Sequence, residues 1–210
     1  MGQQTPNGNS QWAEVYSLGK SIALFLAIAF LLRASVVEAF KIPSSSMEPT
    51  LEIGDHILVN KLSYGLRLPL VAETVFNFRE PKRGDVVVFT LPDDPMTPEI
   101  DESETNIIKR VIGLPSDKIE VRGTQVIIND QPYREDEEYA RWLQGGKKDF
   151  GPVVVPNDSV LLLGDNRDYS KDSRYWRISP FLGIERIKGR AFVIYWNSLF
   201  SFKRMFTLIR

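Results

Sequence analysis

Residues 118–132 run Lys118-Ile119-Glu120-Val121-Arg122-Gly123-Thr124-Gln125-Val126-Ile127-Ile128-Asn129-Asp130-Gln131-Pro132. Two runs rich in β-branched residues flank the turn residues Arg122-Gly123-Thr124, and a second turn signal follows at Asn129-Asp130-Gln131-Pro132. This is the pattern of a β-hairpin over Glu120 to Ile128, turning at Gly123. Ile57-Leu58-Val59, Val86-Val87-Val88-Phe89, Val153-Val154-Val155, Val160 to Leu163 and Ala191 to Trp196 are further short strand-like runs. Arg83-Gly84-Asp85 and Pro156-Asn157-Asp158 read as turns between them. No long amphipathic helix is expected after Lys41 and no repeat is present. Many short strands with regular turns predict a mainly β fold, an antiparallel sheet or barrel-like domain. A small β subdomain is inserted over about 115–158. Within it, Arg134 to Phe150 is charged, carries Gly145-Gly146 and reads as a peripheral flap. Pro92 to Glu104 is acidic and Pro-rich and reads as an exposed loop.

The 210 residues are 43% hydrophobic and 25% charged, enough for one domain with its own core. A net charge of -1 leaves no basic excess for nucleic acid, so no nucleic-acid partner is expected. There is no cysteine, which excludes disulfides, zinc–thiolate sites and thiol nucleophiles. No metal or cofactor is expected. The chain has one histidine, His56.

Upstream of the β pattern, Met1 to Ser10 is polar and reads as a disordered tail, taken to reach residue 17. Every residue from Ile22 to Leu32 is apolar. Extended over 18–38, the segment has roughly 20 residues, enough to cross a bilayer as a helix. A buried core helix and a cleavable signal peptide are the alternatives, the latter because Val37-Glu38-Ala39 offers small residues. Arg33 directly after the run and Glu38 inside the site speak against cleavage. A helix apolar on all sides suits lipid better than a core this small. The expectation is a single membrane span over 18–38 and a globular domain over 39–210. Lys20 precedes the span and Arg33 and Lys41 follow it, so charge bias alone would place the domain in the cytoplasm.

Three polar patches interrupt the β pattern. Ile42-Pro43-Ser44-Ser45-Ser46-Met47-Glu48-Pro49-Thr50-Leu51 is either a Ser/Pro linker or a stiff bend that presents one hydroxyl. A serine nucleophile needs a base. His56 is the only histidine that could serve a triad, but a lone histidine entering a strand is more often a packing residue. A lysine with a depressed pKa is the other option. Asn106-Ile107-Ile108-Lys109-Arg110-Val111-Ile112-Gly113-Leu114-Pro115 sets Lys109 in an apolar run. Strand alternation puts Ile107, Lys109 and Val111 on one face and Ile108, Arg110 and Ile112 on the other. Burial among isoleucines disfavours the ammonium, and a pKa near 8 would cost roughly 3 kcal/mol. On spacing alone, two surface cations on an edge strand is the simpler reading. The third patch, Gly164-Asp165-Asn166-Arg167-Asp168-Tyr169-Ser170-Lys171-Asp172-Ser173-Arg174-Tyr175-Trp176, could be a polar loop. A calcium loop fits poorly, because the spacing is not that of an EF-hand and cations stand among the acids.

Taken together and in this order, the three patches resemble the boxes of bacterial type I signal peptidases. Arg83 to Phe89 and Gly189-Arg190-Ala191 resemble two further boxes, so the likeness runs from about Phe40 to Trp196. It implies a membrane-bound serine endopeptidase that cuts N-terminal signal peptides from exported preproteins after small residues, through a Ser–Lys dyad and an acyl-enzyme. By position, Ser46 is implied as nucleophile and Lys109 as general base. Ser44 would contribute to the oxyanion hole and Ser170 would hold the Lys109 ammonium. Asp172 and Arg174 would form a supporting ion pair, and Asp165 and Asn166 would shape the loop behind the lysine. Phe40, Ile42, Met47, Leu51, Ile57, Ile107 and Ile108 would line apolar substrate pockets. The implied topology has a cytoplasmic N-terminus and an external domain at the cell membrane, against the charge bias. The chain departs from the family pattern at Trp176-Arg177-Ile178-Ser179-Pro180, where Trp-Gly-Phe is common, at Tyr169 and at Asn106.

The expected partners are preprotein signal peptides and the lipid bilayer, and the expected state is a monomer. Trp196, Phe200, Phe202 and Phe206, with Lys203 and Arg204, would either graze the membrane or pack as a terminal element. Three other classes compete. A self-cleaving Ser–Lys repressor would need a DNA-binding domain where this chain has its apolar run. A membrane-tethered, non-catalytic interaction domain and a Ser–Lys protease of broader specificity are the other two.

Overall fold

The structure, a computed structural model, describes residues 8–67, 74–77, 79–92, 105–134, 139–146, 148–198 and 202–210. The acidic loop read over 92–104 therefore lies, past Pro92, outside the described residues. So do 135–138 and 147 of the flap, and Phe200.

Among the described residues one helix, α1 (Gly8–Ser35), precedes fourteen strands. In chain order these are β1 (Val37–Lys41), β2 (Asp55–Asn60), β3 (Gly65–Arg67), β4 (Thr74–Asn77), β5 (Val86–Phe89), β6 (Ile107–Gly113), β7 (Lys118–Arg122), β8 (Gln125–Ile128), β9 (Gln131–Pro132), β10 (Phe150–Val154), β11 (Ser159–Leu163), β12 (Leu182–Gly183), β13 (Ile187–Asn197) and β14 (Thr207–Leu208). After α1 the described residues hold only short 3-10 turns besides strands.

Helix α1 begins earlier and ends sooner than the span read from the sequence. Residues 8–17, read as tail, are helical, with the Ser17 hydroxyl donating to the Glu14 carbonyl at 2.9 Å. At the other end Val37 and Glu38 belong to β1, where the β-branched Val36-Val37 pair favours a strand over a further helical turn. Among the described residues no helix is long and apolar enough to cross a membrane, and the side chains of 27–35 lie outside that description.

The main sheet has the order β1-β2-β13-β5-β6-β11-β12, with β14 added to β13, and every pairing is antiparallel. A second sheet, β10-β7-β8-β9, is the insert, and it is entered and left between β6 and β11. Its hairpin pairs Val121 with Val126 and Arg122 with Gln125, so Gly123-Thr124 form a two-residue loop. Gly123 sits at φ +53°, a conformation glycine adopts at no steric cost.

The alternation that marked each strand sorts the core into three groups. Val86 and Val88 face Ile57, Val59, Met47 and Leu51 on one side of the main sheet. Val87 and Phe89 face Val111, Leu162 and Ile187 on the other. Ile112, Leu161 and Leu163 meet Ile119, Val121, Val126 and Ile128, so the insert shares a core with the main sheet. Each fully buried side chain contributes about 1.5–3 kcal/mol.

Candidate active site

The turn that carries Ser46 is held by apolar residues beneath it. Ser45–Met47 form one 3-10 turn, with the Glu48 N–H on the Ser45 carbonyl at 3.1 Å. Met47 and Leu51 are fully buried, and the Leu51 N–H donates to the Met47 carbonyl at 2.9 Å. Ile42 fixes the start by donating to the Asp55 carbonyl (2.8 Å) and accepting from the Gly54 N–H (2.9 Å). The Ser46 hydroxyl is thereby left facing β6. There the Lys109 ammonium donates to Ser46 Oγ at 2.8 Å and to the Ile108 carbonyl at 2.9 Å. Ser44 Oγ lies 3.4 Å from Ser46 Oγ.

Lys109 is 4% exposed. Burial pulls its ammonium down to about 8, against the raising pull of the Asp172 and Asp165 carboxylates. Among the described residues it makes no ion pair. At pH 7 roughly a tenth of such a group is neutral amine. On loss of its proton the 2.8 Å contact reverses, and the Ser46 hydroxyl donates to the amine lone pair. That is the arrangement required to activate a serine.

The third patch folds back on β11 and reaches this turn. Its Asn166 N–H donates to the Ser46 carbonyl (3.1 Å) and the Asn166 amide to the Ser45 carbonyl (3.1 Å). Asp165 takes Arg110 Nε at 2.8 Å and its terminal nitrogen at 2.7 Å, and accepts the Thr50 hydroxyl at 2.6 Å. Asp172 takes Arg174 in the same two-pronged way, at 2.9 Å on each prong, and accepts the Gly164 N–H at 3.0 Å. Ser170 Oγ is buried and has no hydrogen-bond partner in the described structure. A Cβ added to Gly164 would lie 2.1 Å from Ser170 Oγ and 2.5 Å from the Ser46 carbonyl oxygen. Only glycine lets the loop approach the Ser46 turn this closely.

The residues read as pocket lining separate into two groups. Ile42, Met47, Leu51 and Ile57 are at most 2% exposed and belong to the core, with Phe40 and Ile108 packed half-buried against them. Ile107 packs against the opposite group, with Val87 and Phe89. His56 stands on β2 opposite Lys41 and Trp196, its ring T-shaped to Tyr195 at 6.0 Å. Among the described residues no cluster of His, Asp or Glu could hold a metal ion.

Sequence reasoning passed over Arg110, Thr50 and Gly164. Arg110 was recoverable: an arginine alternating with Ile108 and Ile112 must be buried, and a buried guanidinium requires a carboxylate. Nothing in the sequence marked Gly164 as a contact of the Ser46 turn.

The family model described as signal peptidase, peptidase S26, matches residues 15–196. The chain is 39% identical over 194 residues to "Probable signal peptidase I-2" of Synechocystis sp., covering 92% of this chain and 77% of that protein. It is 37% identical over 209 residues to "Signal peptidase I" of Pseudomonas fluorescens, covering 84% and 71%. A solved signal peptidase I from Enterococcus faecalis is 26% identical, covers 54% of this chain and 98% of its own, and superposes with a TM-score of 0.40. With the family model spanning most of its length, the chain belongs to the type I signal peptidases of peptidase family S26 and is a serine endopeptidase.

Proposed function

We propose that this protein cleaves signal peptides from exported preproteins after small residues, with Ser46 as nucleophile and Lys109 as general base. The observation that carries the reading is the 2.8 Å contact between a buried lysine, held near pKa 8, and the hydroxyl of Ser46. Neutral Lys109 takes the Ser46 proton as Oγ attacks the scissile carbonyl. The oxyanion is met by the Ser46 N–H and the Ser44 hydroxyl. Protonated Lys109 then gives its proton to the leaving amine. In the second half, Lys109 deprotonates a water that attacks the acyl-enzyme. Asp172 and Asp165, each neutralised by an arginine, supply a graded positive pull on the Lys109 pKa that stops short of restoring it. Ser170 is assigned to the lysine's ammonium form, which has one N–H more than its two observed acceptors use.

The substrate binds extended. Strand β6 pairs with β5 from Ile107 to Arg110, but with β11 only from Arg110 onward. Among the described residues the other edge of Ile107 to Lys109 has no strand partner, and an extended peptide can add there. Phe40, Ile107 and Ile108 keep accessible surface. Ile42, Met47, Leu51 and Ile57 form a close-packed floor behind it, and a shallow pocket over a rigid floor admits small side chains.

The protein acts as a monomer anchored by α1, with its N-terminus cytoplasmic and its catalytic domain outside. Leu18, Ile22, Leu24, Phe25 and Leu26 are all exposed on the described part of that helix, which suits lipid. The test is cleavage of a preprotein with an Ala-x-Ala junction by detergent-solubilised enzyme, read by mass spectrometry. The expected cut follows the second alanine and is lost in Ser46→Ala and Lys109→Ala. Full activity in Lys109→Ala, with loss in His56→Ala, would replace the lysine with a histidine mechanism.

A further inference from the structure

Residues 139–146, with Lys148, lie over the back of the catalytic loop. The Arg141 N–H donates to the Asp165 carbonyl at 2.8 Å, and the Arg141 carbonyl accepts the Arg167 N–H at 2.9 Å. This is an isolated parallel bridge centred on Asn166, the residue whose own N–H holds the Ser46 carbonyl. The Arg110 guanidinium lies over the Tyr139 ring, 4.1 Å from its centroid. Trp142 stands 5.5 Å from the Arg167 guanidinium and 5.7 Å from that of Arg174. The Gln144 N–H donates to Asp168 Oδ2 at 2.6 Å, and Lys148 Nζ to the Arg174 carbonyl at 2.8 Å.

We propose that this segment is a positioning element for the catalytic centre, and that Tyr139, Arg141 and Trp142 are the residues through which it acts. The inference rests on the Ser46–Lys109 reading. The groups that act on Lys109 are the Ser46 hydroxyl from the turn, the Ile108 carbonyl on its own strand, and the Asp172 and Asp165 carboxylates from the loop. Arg110 neutralises Asp165 and Arg174 neutralises Asp172. Both guanidinium groups meet a ring of this one segment: Tyr139 lies 4.1 Å from that of Arg110, and Trp142, at 5.7 Å, flanks that of Arg174 together with Tyr175 of the loop itself at 5.5 Å. A stacked ring fixes the plane of a desolvated guanidinium, and the plane fixes the two-pronged bond. If the rings are removed, the arginines tilt, the carboxylates act on Lys109 less compensated, and water reaches the pair from behind. Each change holds Lys109 in its protonated form. The segment touches none of the reacting atoms, so its effect falls on turnover.

The test compares wild type, Trp142→Ala, Trp142→Phe, Tyr139→Ala and Lys109→Ala, full-length in detergent, on one Ala-x-Ala preprotein across pH 6 to 10, with thermal unfolding measured on each. The expected result for Trp142→Ala is a kcat lower by about 10- to 100-fold with KM nearly unchanged. Its acidic limb should lie about half a pH unit or more above wild type. Trp142→Phe should recover most of kcat, and Tyr139→Ala should move in the same direction by less. A folded Trp142→Ala with wild-type kcat and acidic limb overturns the proposal, and so does a change confined to KM. If Trp142→Ala does not fold, Tyr139→Ala settles the matter: an unmoved kcat and limb overturn the proposal, a shift in both supports it. A Lys109→Ala enzyme with near-full activity removes the dyad reading and the positioning role with it. A dead Lys109→Ala beside an unaffected Trp142→Ala removes the positioning role alone.

Discussion

Lys109 and Arg110 are neighbours on one strand, are both buried, and differ in how their charge is answered. Arg110 is fully buried and answered on both prongs by Asp165, with the Gly84 carbonyl at 2.8 Å as a further acceptor. Lys109 is 4% exposed and answered only by a hydroxyl and a carbonyl. Asp172 and Asp165 influence it from beyond contact, and burial outweighs them. A guanidinium keeps its charge by its own chemistry, and the two-pronged carboxylate offsets the cost of burying it. The ammonium beside it has no carboxylate in contact among the described residues, so burial is relieved by release of its proton instead.

Removing the lysine is the sharpest way to break the contrast. Lys109→Met should abolish peptide cleavage, a loss on the order of 10⁴-fold or more, while stabilising the fold. The folded pKa is about 8 against 10.5 unfolded. The penalty of about 3 kcal/mol is therefore fully present below pH 8 and fades as pH rises toward 10.5. Urea unfolding should show the variant more stable than wild type at pH 7, with the gap closing by pH 10. A constant gap would mean that Lys109 is not depressed.

The reverse substitution on the neighbour should have the opposite sign. Arg110→Met strands Asp165 in the core and should cost about 3–5 kcal/mol in the same unfolding experiment. Gly164→Ala tests whether the loop's close approach matters to the pair. The added Cβ cannot coexist with Ser170 and the Ser46 carbonyl where they stand. The expected outcome is a kcat about 100-fold lower, with KM little changed. The smallest effect is the one with the clearest sign. With Lys109 as the proposed general base, kcat/KM should rise tenfold per pH unit up to about 8 and then level. A kcat/KM that stays flat from pH 6 to 8 would rule out a lysine base depressed to about 8.

Much of the fold was legible where interactions are local. The 118–128 hairpin follows from alternation and from Gly123, and Val86 to Phe89 and Gln125 to Ile128 have the bounds read from the pattern. The sheet order was not legible. It sets β2 against β13 and β5 against β13, pairings between distant segments that no local period encodes. Ser46, Lys109 and the third patch were recognisable by family resemblance, and their spacing alone left blander readings open. The fully buried state of Ile42, Met47, Leu51 and Ile57 could not be read, because an apolar residue beside a site looks the same whether it lines the pocket or supports it. The flap read as peripheral because its charges suggested solvent. Its rings instead rest on guanidinium groups, a use of Tyr139 and Trp142 that composition does not reveal.

The half-open edge of β6 has a consequence for the solution behaviour of the domain. A row of unsatisfied N–H and C=O groups is a template for any extended chain, including another copy's strand, and long exposed edges of this kind drive aggregation. Here β11 closes the strand from Arg110 onward, and among the described residues only Ile107 to Lys109 lack a strand partner on that edge, where the Ile108 carbonyl already accepts Lys109 Nζ at 2.9 Å. Three residues can capture a short stretch of unfolded polypeptide but cannot register a full strand of a folded neighbour. The length of β11 therefore acts as a safeguard against self-association.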